Sequence, residues 1–274
     1  MTNGKSDTPS PGLGNVFPSP LILGHRGASA LAPENTLAAF ALAMNDGADG
    51  IEFDVRLSRD QVPMAIHDAT LKRTAGIDRQ VSQLTAAELQ EIDVGSWFKR
   101  WKRTTTTFAG EKLPTLAQVY DLFKTSPGVL YVEMKCEPAE VSGGVTLAAA
   151  VVQLTREAKL ADRVVVESFD LDAIAAVKTI DAGIRTAALF EPKLSRRVST
   201  LRKLRIVDVA RGVGADEIAF HHSLAGARVV EKAKREDLEV VIWTVDTPHW
   251  IPRARALGIK ALISNNPGTM VRAR

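Results

Sequence analysis

The sequence predicts an α/β chain folded as a TIM (β/α)8 barrel, with a small insertion subdomain after a hairpin at the second strand. Three observations carry this. Short apolar runs alternate with helix-like segments along most of the chain, the pattern of a parallel sheet. Eight such units fit between residues 21 and 274, and eight units in about 250 residues is the size of a TIM barrel. The other common parallel architecture, an open doubly wound sheet, finds no support, because no Gly-x-Gly-x-x-Gly follows a strand.

The first strand is 21–24, where Leu21, Ile22 and Leu23 close on Gly24. His25, Arg26 and Gly27 make a turn at its mouth. Asn35 or Thr36 caps a helix running to about residue 46, with Phe40, Ala41 and Met44 at helical spacing and Gly47 where helices stop. Residues 50–57 alternate as a strand. A turn around Asp60 and Gln61 leads to a second run, 62–67, so the two form a hairpin. A turn centred there sets Asp54 across from His67, and Glu52 shares the face of Asp54. Pro63 suits an edge. The stretch 69–112 breaks the rhythm. It holds a short helix at 85–91, the segment Trp97, Phe98, Lys99, Arg100, Trp101, and four threonines at 104–107. It has too few apolar residues for a core and reads as an excursion over one face. Helices 115–125, 144–159, 171–181, a helix or two between 194 and 212, and helices 225–237 and 247–256 then alternate with strands 129–135, 163–169, 185–190, 217–222, 239–245 and 260–264, before a last short helix.

With 274 residues, 45% hydrophobic and 24% charged, the chain can bury a sizeable core. Its single cysteine, Cys136, excludes an internal disulfide framework and permits a reducing compartment, in keeping with a cytoplasmic location. Cys136 follows Lys135 and so should face the other way, behind the barrel wall. A net charge of +3, spread over scattered basic residues, argues against a nucleic-acid partner. Residues 1–20 are rich in Ser, Pro, Gly and Asn and read as a loosely attached or disordered tail, not a secretory signal. No run approaches the roughly 18 apolar residues of a membrane span, so no stable membrane insertion is expected. A homo-oligomer is compatible with all of this.

Catalytic side chains of a barrel sit at the carboxyl ends of its strands. Those ends carry His25 and Arg26, Glu52 and Asp54, Glu133 and Lys135, Phe169, His221 and His222, Trp243, and Ser264 and Asn265. Three carboxylates, Glu52, Asp54 and Glu133, would repel unless a cation joined them. Oxygen-only ligation suits Mg²⁺ or Ca²⁺ better than Zn²⁺. The simpler reading of Glu133 is an ion pair with Lys135, two residues along. His25 and His67 flank the presumed cation and suit acid/base work on a phosphate ester, with Arg26 and Lys135 neutralising phosphoryl oxygens. One of His221 and His222 should point into the barrel and the other toward a helix.

The chain resembles the glycerophosphodiester phosphodiesterase family. The matching words are His25-Arg26-Gly27, Pro33-Glu34-Asn35-Thr36, Glu52-Phe53-Asp54-Val55, His67-Asp68, Glu133-Met134-Lys135, Ser168-Phe169-Asp170 and Trp243-Thr244-Val245. Further matches in the insertion are Leu71-Lys72-Arg73-Thr74, Asp93 to Phe98, and Leu113-Pro114-Thr115-Leu116. The resemblance implies a metal-dependent barrel hydrolase that cleaves glycerophosphodiesters, such as glycerophosphocholine, to sn-glycerol 3-phosphate and an alcohol. It implies His25 and His67 as acid and base, Glu52, Asp54 and Glu133 on the cation, and Arg26 and Lys135 on phosphate. Phe169 and Trp243 are implied as an apolar wall for substrate, with plain core packing as the alternative. Glu34 and Asn35 are implied to position the His25 loop. Three residues depart from the family pattern: Asn265 for a carboxylate, Asp246 for an asparagine, and Gln61 for a glycine. None of them touches the expected acid/base or metal set, and the first two bear on substrate choice. A lysophospholipase D using the same site is the rival activity, favoured by an apolar lip of Trp97, Phe98 and Trp101. A non-catalytic phosphodiester-binding scaffold is the rival of another class.

Overall fold

A computed structural model describes residues 19–98, 106–136, 143–192 and 200–274. The expected tail, save its last two residues, lies outside the described residues, as do Lys99 to Thr105 and the start of the helix expected from 194.

The chain runs β1 (Leu21–His25), α1 (Leu37–Asn45), β2 (Gly50–Leu57) and a short β3 (Pro63–Ala65). The insertion follows, with short helices α2 (Lys72–Ala75) and α3 (Ala86–Gln90). Then come α4 (Leu116–Thr125), β4 (Val129–Met134), α5 (Gly143–Ala158), β5 (Val164–Ser168), α6 (Leu171–Ile180) and β6 (Arg185–Phe190). The chain closes with α7 (Thr200–Gly212), β7 (Glu217–His221), α8 (Ala227–Arg235), β8 (Glu239–Trp243), α9 (Trp250–Leu257), β9 (Ala261–Ser264) and α10 (Pro267–Ala273). Side-chain caps start the helices locally. Thr36 accepts from the Ala39 N–H at α1, and Thr115 with Gln118 forms a capping box at α4.

Eight parallel strands close into a barrel, because β1 pairs with both β2 and β9. This is a TIM barrel. Strand alternation sorts the residues. Ile51, Phe53, Val55, Leu130, Val132 and Val166 face the helices, and Leu21, Leu23, Tyr131, Val165, Ala219 and Val241 fill the interior. By the same period of two, Glu52, Asp54, Glu133 and Glu167 point inward at the carboxyl half. At the amino end the interior is plugged by ion pairs. Lys260 Nζ lies 2.7 Å from Glu217, Arg185 Nη2 lies 3.1 Å from it, and the Tyr131 hydroxyl donates to it at 2.7 Å.

Two expectations need correction. The hairpin has a three-residue turn. Ser58 N–H donates to Val62 O, leaving Arg59, Asp60 and a left-handed Gln61 (φ 62°) in the loop. The ladder therefore pairs Val55 with Ala65, and Asp54 faces Ile66, not His67. The insertion also has a small core after all. Met64 and Ile66 of the hairpin lend apolar bulk to Leu71, Val81, Leu84, Leu89, Val94 and Leu113. That sharing is why 69–112 looks too polar when read alone.

Candidate active site

The turn after β1 delivers His25 and Arg26 to the barrel mouth. Arg26 is left-handed (φ 53°), as is Gly27 (φ 81°). A Cβ on Gly27 would stand 2.5 Å from the Ala39 carbonyl carbon, so only glycine passes α1 there. The turn directs the Arg26 guanidinium inward, with Nε 3.0 Å from Asp54 Oδ2 and Nη1 2.9 Å from Glu34 Oε1. Asn35 Nδ2 donates to the same Asp54 oxygen at 2.9 Å. Asn35 thus ties the loop directly to a central carboxylate.

Glu52, Asp54 and Glu133 are buried, and each offers an oxygen within 4.8 Å of the others. Lys135 sits among them, with Nζ 3.1 Å from Asp54 and 2.5 Å from Glu133. Glu133 therefore does both things expected of it: it pairs with Lys135 and joins the cluster. Sequence reading misses a fourth carboxylate, Glu167, which is 1% exposed and pairs with Glu133 across the β4–β5 ladder. Its signal is a lone charge ending the apolar run Val164, Val165, Val166. Glu167 Oε2 is buried without a hydrogen-bond partner among the described residues.

The electrostatics divide the carboxylates. Burial would push Asp54 up, but Arg26 and Lys135 outweigh it and hold the group well below the carboxylate range. Burial, then the charge on Asp54, pushes Glu133 up to about 7. Burial followed by the neighbouring carboxylates raises Glu52 and Glu167 well above their ordinary values. With all four ionised, two cations, Arg26 and Lys135, leave two negative charges uncompensated. An oxygen-only cluster with that deficit fits a hard divalent cation.

His25 is held by an unexpected chain. Its Nδ1 lies 2.6 Å from Asn265 Oδ1, which also accepts from Ser29 Oγ. Asn265 Nδ2 donates to Asp246 Oδ2 at 2.7 Å, and the Asn265 N–H donates to Asp246 Oδ1 at 2.8 Å. Because Nδ2 must face that carboxylate, the amide oxygen faces His25, so Nδ1 carries the ring proton and Nε2 is bare. Nε2 lies 3.8 Å from Glu52 Oε2. Burial, then the Arg26 charge, lowers His25 to about 4, so the ring is neutral at neutral pH. The departures at 265 and 246 are therefore one hydrogen-bonded pair, and Asn265 touches the expected acid/base set directly. The charge sits on the hydrogen-bonded partner Asp246 instead of on residue 265, and is not lost. Asn265→Ala is expected to lower kcat about 10-fold by freeing the ring, with little change in KM; steady-state kinetics check it.

His67 stands past the end of β3, with its carbonyl accepting from Arg56 Nε at 2.7 Å. Its Nδ1 lies 2.7 Å from Asp68 Oδ1. Burial, only partly offset by the Asp54 charge, lowers it from its ordinary value. Phe169 and Trp243 meet edge to face at 5.7 Å, and Lys135 Nζ is 5.8 Å from the Phe169 ring. Both rings line a cavity of about 230 Å³ that also reaches His25, His67, Glu52 and Glu133. Phe169 is 41% exposed, so it is not core packing. A second cavity, of about 460 Å³, lies on the far side of His25 and Arg26, against Glu34, Arg73, Trp97 and Asp246.

Phe98 is buried edge-on to Trp97 and Phe108, Arg73 lies 5.9 Å from the centre of the Trp97 ring, and Trp101 is outside the described residues. His221 packs on Trp243 at the rim, while His222 packs on Trp250 of α9. His221 does not line the cavity of Phe169 and Trp243. Cys136 is half-buried, and burial pushes its thiol up to about 12.

The described fold contains no helix long and apolar enough to cross a membrane. A glycerophosphodiester phosphodiesterase of Caldanaerobacter subterraneus is 28% identical over 92% of this chain and 96% of its own length. An Oleispira antarctica phosphodiesterase, solved with the product sn-glycerol-3-phosphate, superposes with a TM-score of 0.79 at 25% identity, covering 93% of this chain and 96% of that one. The Thermotoga maritima glycerophosphodiester phosphodiesterase gives 0.69 at 25% identity, over 93% and 98%. Residues 25–269 match the profile of the Glycerophosphoryl diester phosphodiesterase family, a span that takes in every residue placed at this barrel mouth, and the chain belongs to that family.

Proposed function

We propose that this chain is a cation-dependent phosphodiesterase that hydrolyses glycerophosphodiesters, such as glycerophosphocholine or glycerophosphoethanolamine, to sn-glycerol 3-phosphate and an alcohol. The observation that carries the reading is a pair of histidines on one cavity, flanking buried carboxylates and two cations aimed at the same space. The product named for the Oleispira antarctica enzyme supports the substrate class. When bound, Mg²⁺ or Ca²⁺ held by Glu52, Asp54 and Glu133 would supply Lewis-acid stabilisation of phosphoryl charge.

The chain's own residues do the rest. Arg26 and Lys135 grip the phosphoryl oxygens. His25, neutral and bare at Nε2, takes the proton of the attacking hydroxyl as the new P–O bond forms; the nucleophile is water, or else the glycerol hydroxyl, in which case water opens the cyclic phosphate in a second step. His67 donates to the leaving oxygen as the old P–O bond breaks. The assignment follows the partners: burial lowers both rings, and at His67 the Asp68 carboxylate opposes that lowering, whereas His25 faces a neutral amide. Phe169 and Trp243 wall the glycerol arm. Glu34 and Asn35 hold Arg26 and Asp54. Of the apolar lip expected for a lysophospholipase D, Phe98 is buried and Trp97 flanks Arg73, while Trp101 lies outside the described residues.

The test compares glycerophosphocholine with lysophosphatidylcholine, each with Mg²⁺, Ca²⁺ or a chelator. Glycerol 3-phosphate is expected from the first substrate in either cation and not in chelator. Faster turnover of the lysolipid would make the chain a lysophospholipase D, and no product from either would leave a binding scaffold.

A further inference from the structure

We infer that Arg73, on the insertion's first short helix, is a positioning residue that holds the two sides of the active site in one geometry. It does so for Arg26 through Glu34 and for His67 through Asp68. The inference rests on the reading that Arg26 grips phosphate and His67 moves a proton.

The guanidinium is used along two edges. Nη1 and Nη2 donate to Glu34 Oε2 and Oε1, both at 2.7 Å. Nε and Nη2 donate to Asp68 Oδ2 and Oδ1, at 2.7 and 3.1 Å. Two paired contacts to one rigid plane fix two carboxylates relative to each other, which a lysine ammonium cannot do. Each carboxylate passes the constraint on. Glu34 Oε1 also accepts from Arg26 Nη1 at 2.9 Å, and Asp68 Oδ1 pairs with His67 Nδ1 at 2.7 Å. Arg26 continues to Asp54 at 3.0 Å. One unbroken chain of ion pairs thus runs from His67 to the carboxylate cluster, and its middle member comes from outside the barrel. Trp97 flanks the guanidinium.

The geometry also explains an otherwise odd choice. Arg73 is 42% exposed at its side chain, and the less exposed Glu34 keeps Arg26 as a partner when Arg73 is removed, so no charge is left buried and unpaired. The consequence of the Arg73 pairs is orientation, to which catalysis responds steeply. Arg73→Ala is expected to lower kcat/KM by about 10- to 100-fold, with KM raised through Arg26 and kcat lowered through His67. The melting temperature should move by less than about 4 °C. Asp68→Asn should lower kcat alone, and adding Arg73→Ala to it should cost kcat little more, because both act on one path. Millimolar guanidinium should restore part of the Arg73→Ala activity and none of the activity of His67→Ala. Arg73→Gln repeats the measurement if the alanine variant does not fold.

An Arg73 variant within twofold of wild type, beside an inactive His67→Ala, overturns the inference and leaves the functional reading intact. So does a loss additive with Asp68→Asn and untouched by guanidinium. An active His67→Ala instead overturns the functional reading itself.

Discussion

Replacing His67 by alanine is expected to lower kcat by about 10²- to 10⁴-fold while KM and the melting temperature stay close to wild type. The ring is one-third exposed, lies past the end of β3, and contributes nothing to the apolar cores. Among the described residues its close polar partner at Nδ1 is Asp68, which Arg73 still holds when the ring is gone. Loss of turnover is therefore a loss of proton transfer, not of fold. His25→Ala should match it in size, because the bare Nε2 proposed to take the nucleophile's proton goes with the ring. Steady-state kinetics on glycerophosphocholine with saturating cation, beside circular-dichroism melts, decide the matter. Turnover near wild type in either variant would remove the two-histidine mechanism.

The second large effect concerns stability without a cation. Glu133 titrates near 7 in the fold, against about 4.3 in an unfolded chain. A raised folded value means the folded state holds the proton more tightly. The stabilisation from that group is complete below about pH 4.3 and is lost as pH rises through about 7, about 4 kcal/mol in all. Glu52 and Glu167 shift in the same direction. Asp54 shifts oppositely: its stabilisation is present above about pH 3.9 and is lost only in acid. Chelator-treated protein should thus be most stable between about pH 4 and 6 and weaken toward pH 8. A divalent cation replaces the missing protons, so Mg²⁺ or Ca²⁺ should raise the melting temperature by several degrees at pH 8 and hardly at pH 5. Thermal melts at both values, with and without cation, give the answer. An equal shift at both pH values would place the cation elsewhere.

Both outcomes depend on features that differ in how far residue order reveals them. The barrel and the inward placement of Glu52, Asp54 and Glu133 are readable from the chain alone, because strand alternation is local. A period of two sends i and i+2 to the same side, and parallel strands present their carboxyl ends together. His25 and Arg26 are readable for the same reason, as the residues that follow an apolar run. Glu167 obeys the same rule, and its miss is an omission within a legible pattern.

Other features exist only once the barrel closes. The hairpin register turned on whether Gln61 would adopt a left-handed backbone, an equilibrium that neighbours settle. The insertion core forms because hairpin residues Met64 and Ile66 complete it. His25, Asp246 and Asn265 come from three strand ends that meet when β9 pairs with β1. Arg73 reaches Glu34 across thirty-nine positions and Asp68 across five. Polar contacts between side chains are short-ranged and directional, so sequence pattern can say which groups stand at the mouth of the barrel. Only the packed fold decides which atom of each faces which partner, and therefore which nitrogen of His25 is free to take a proton.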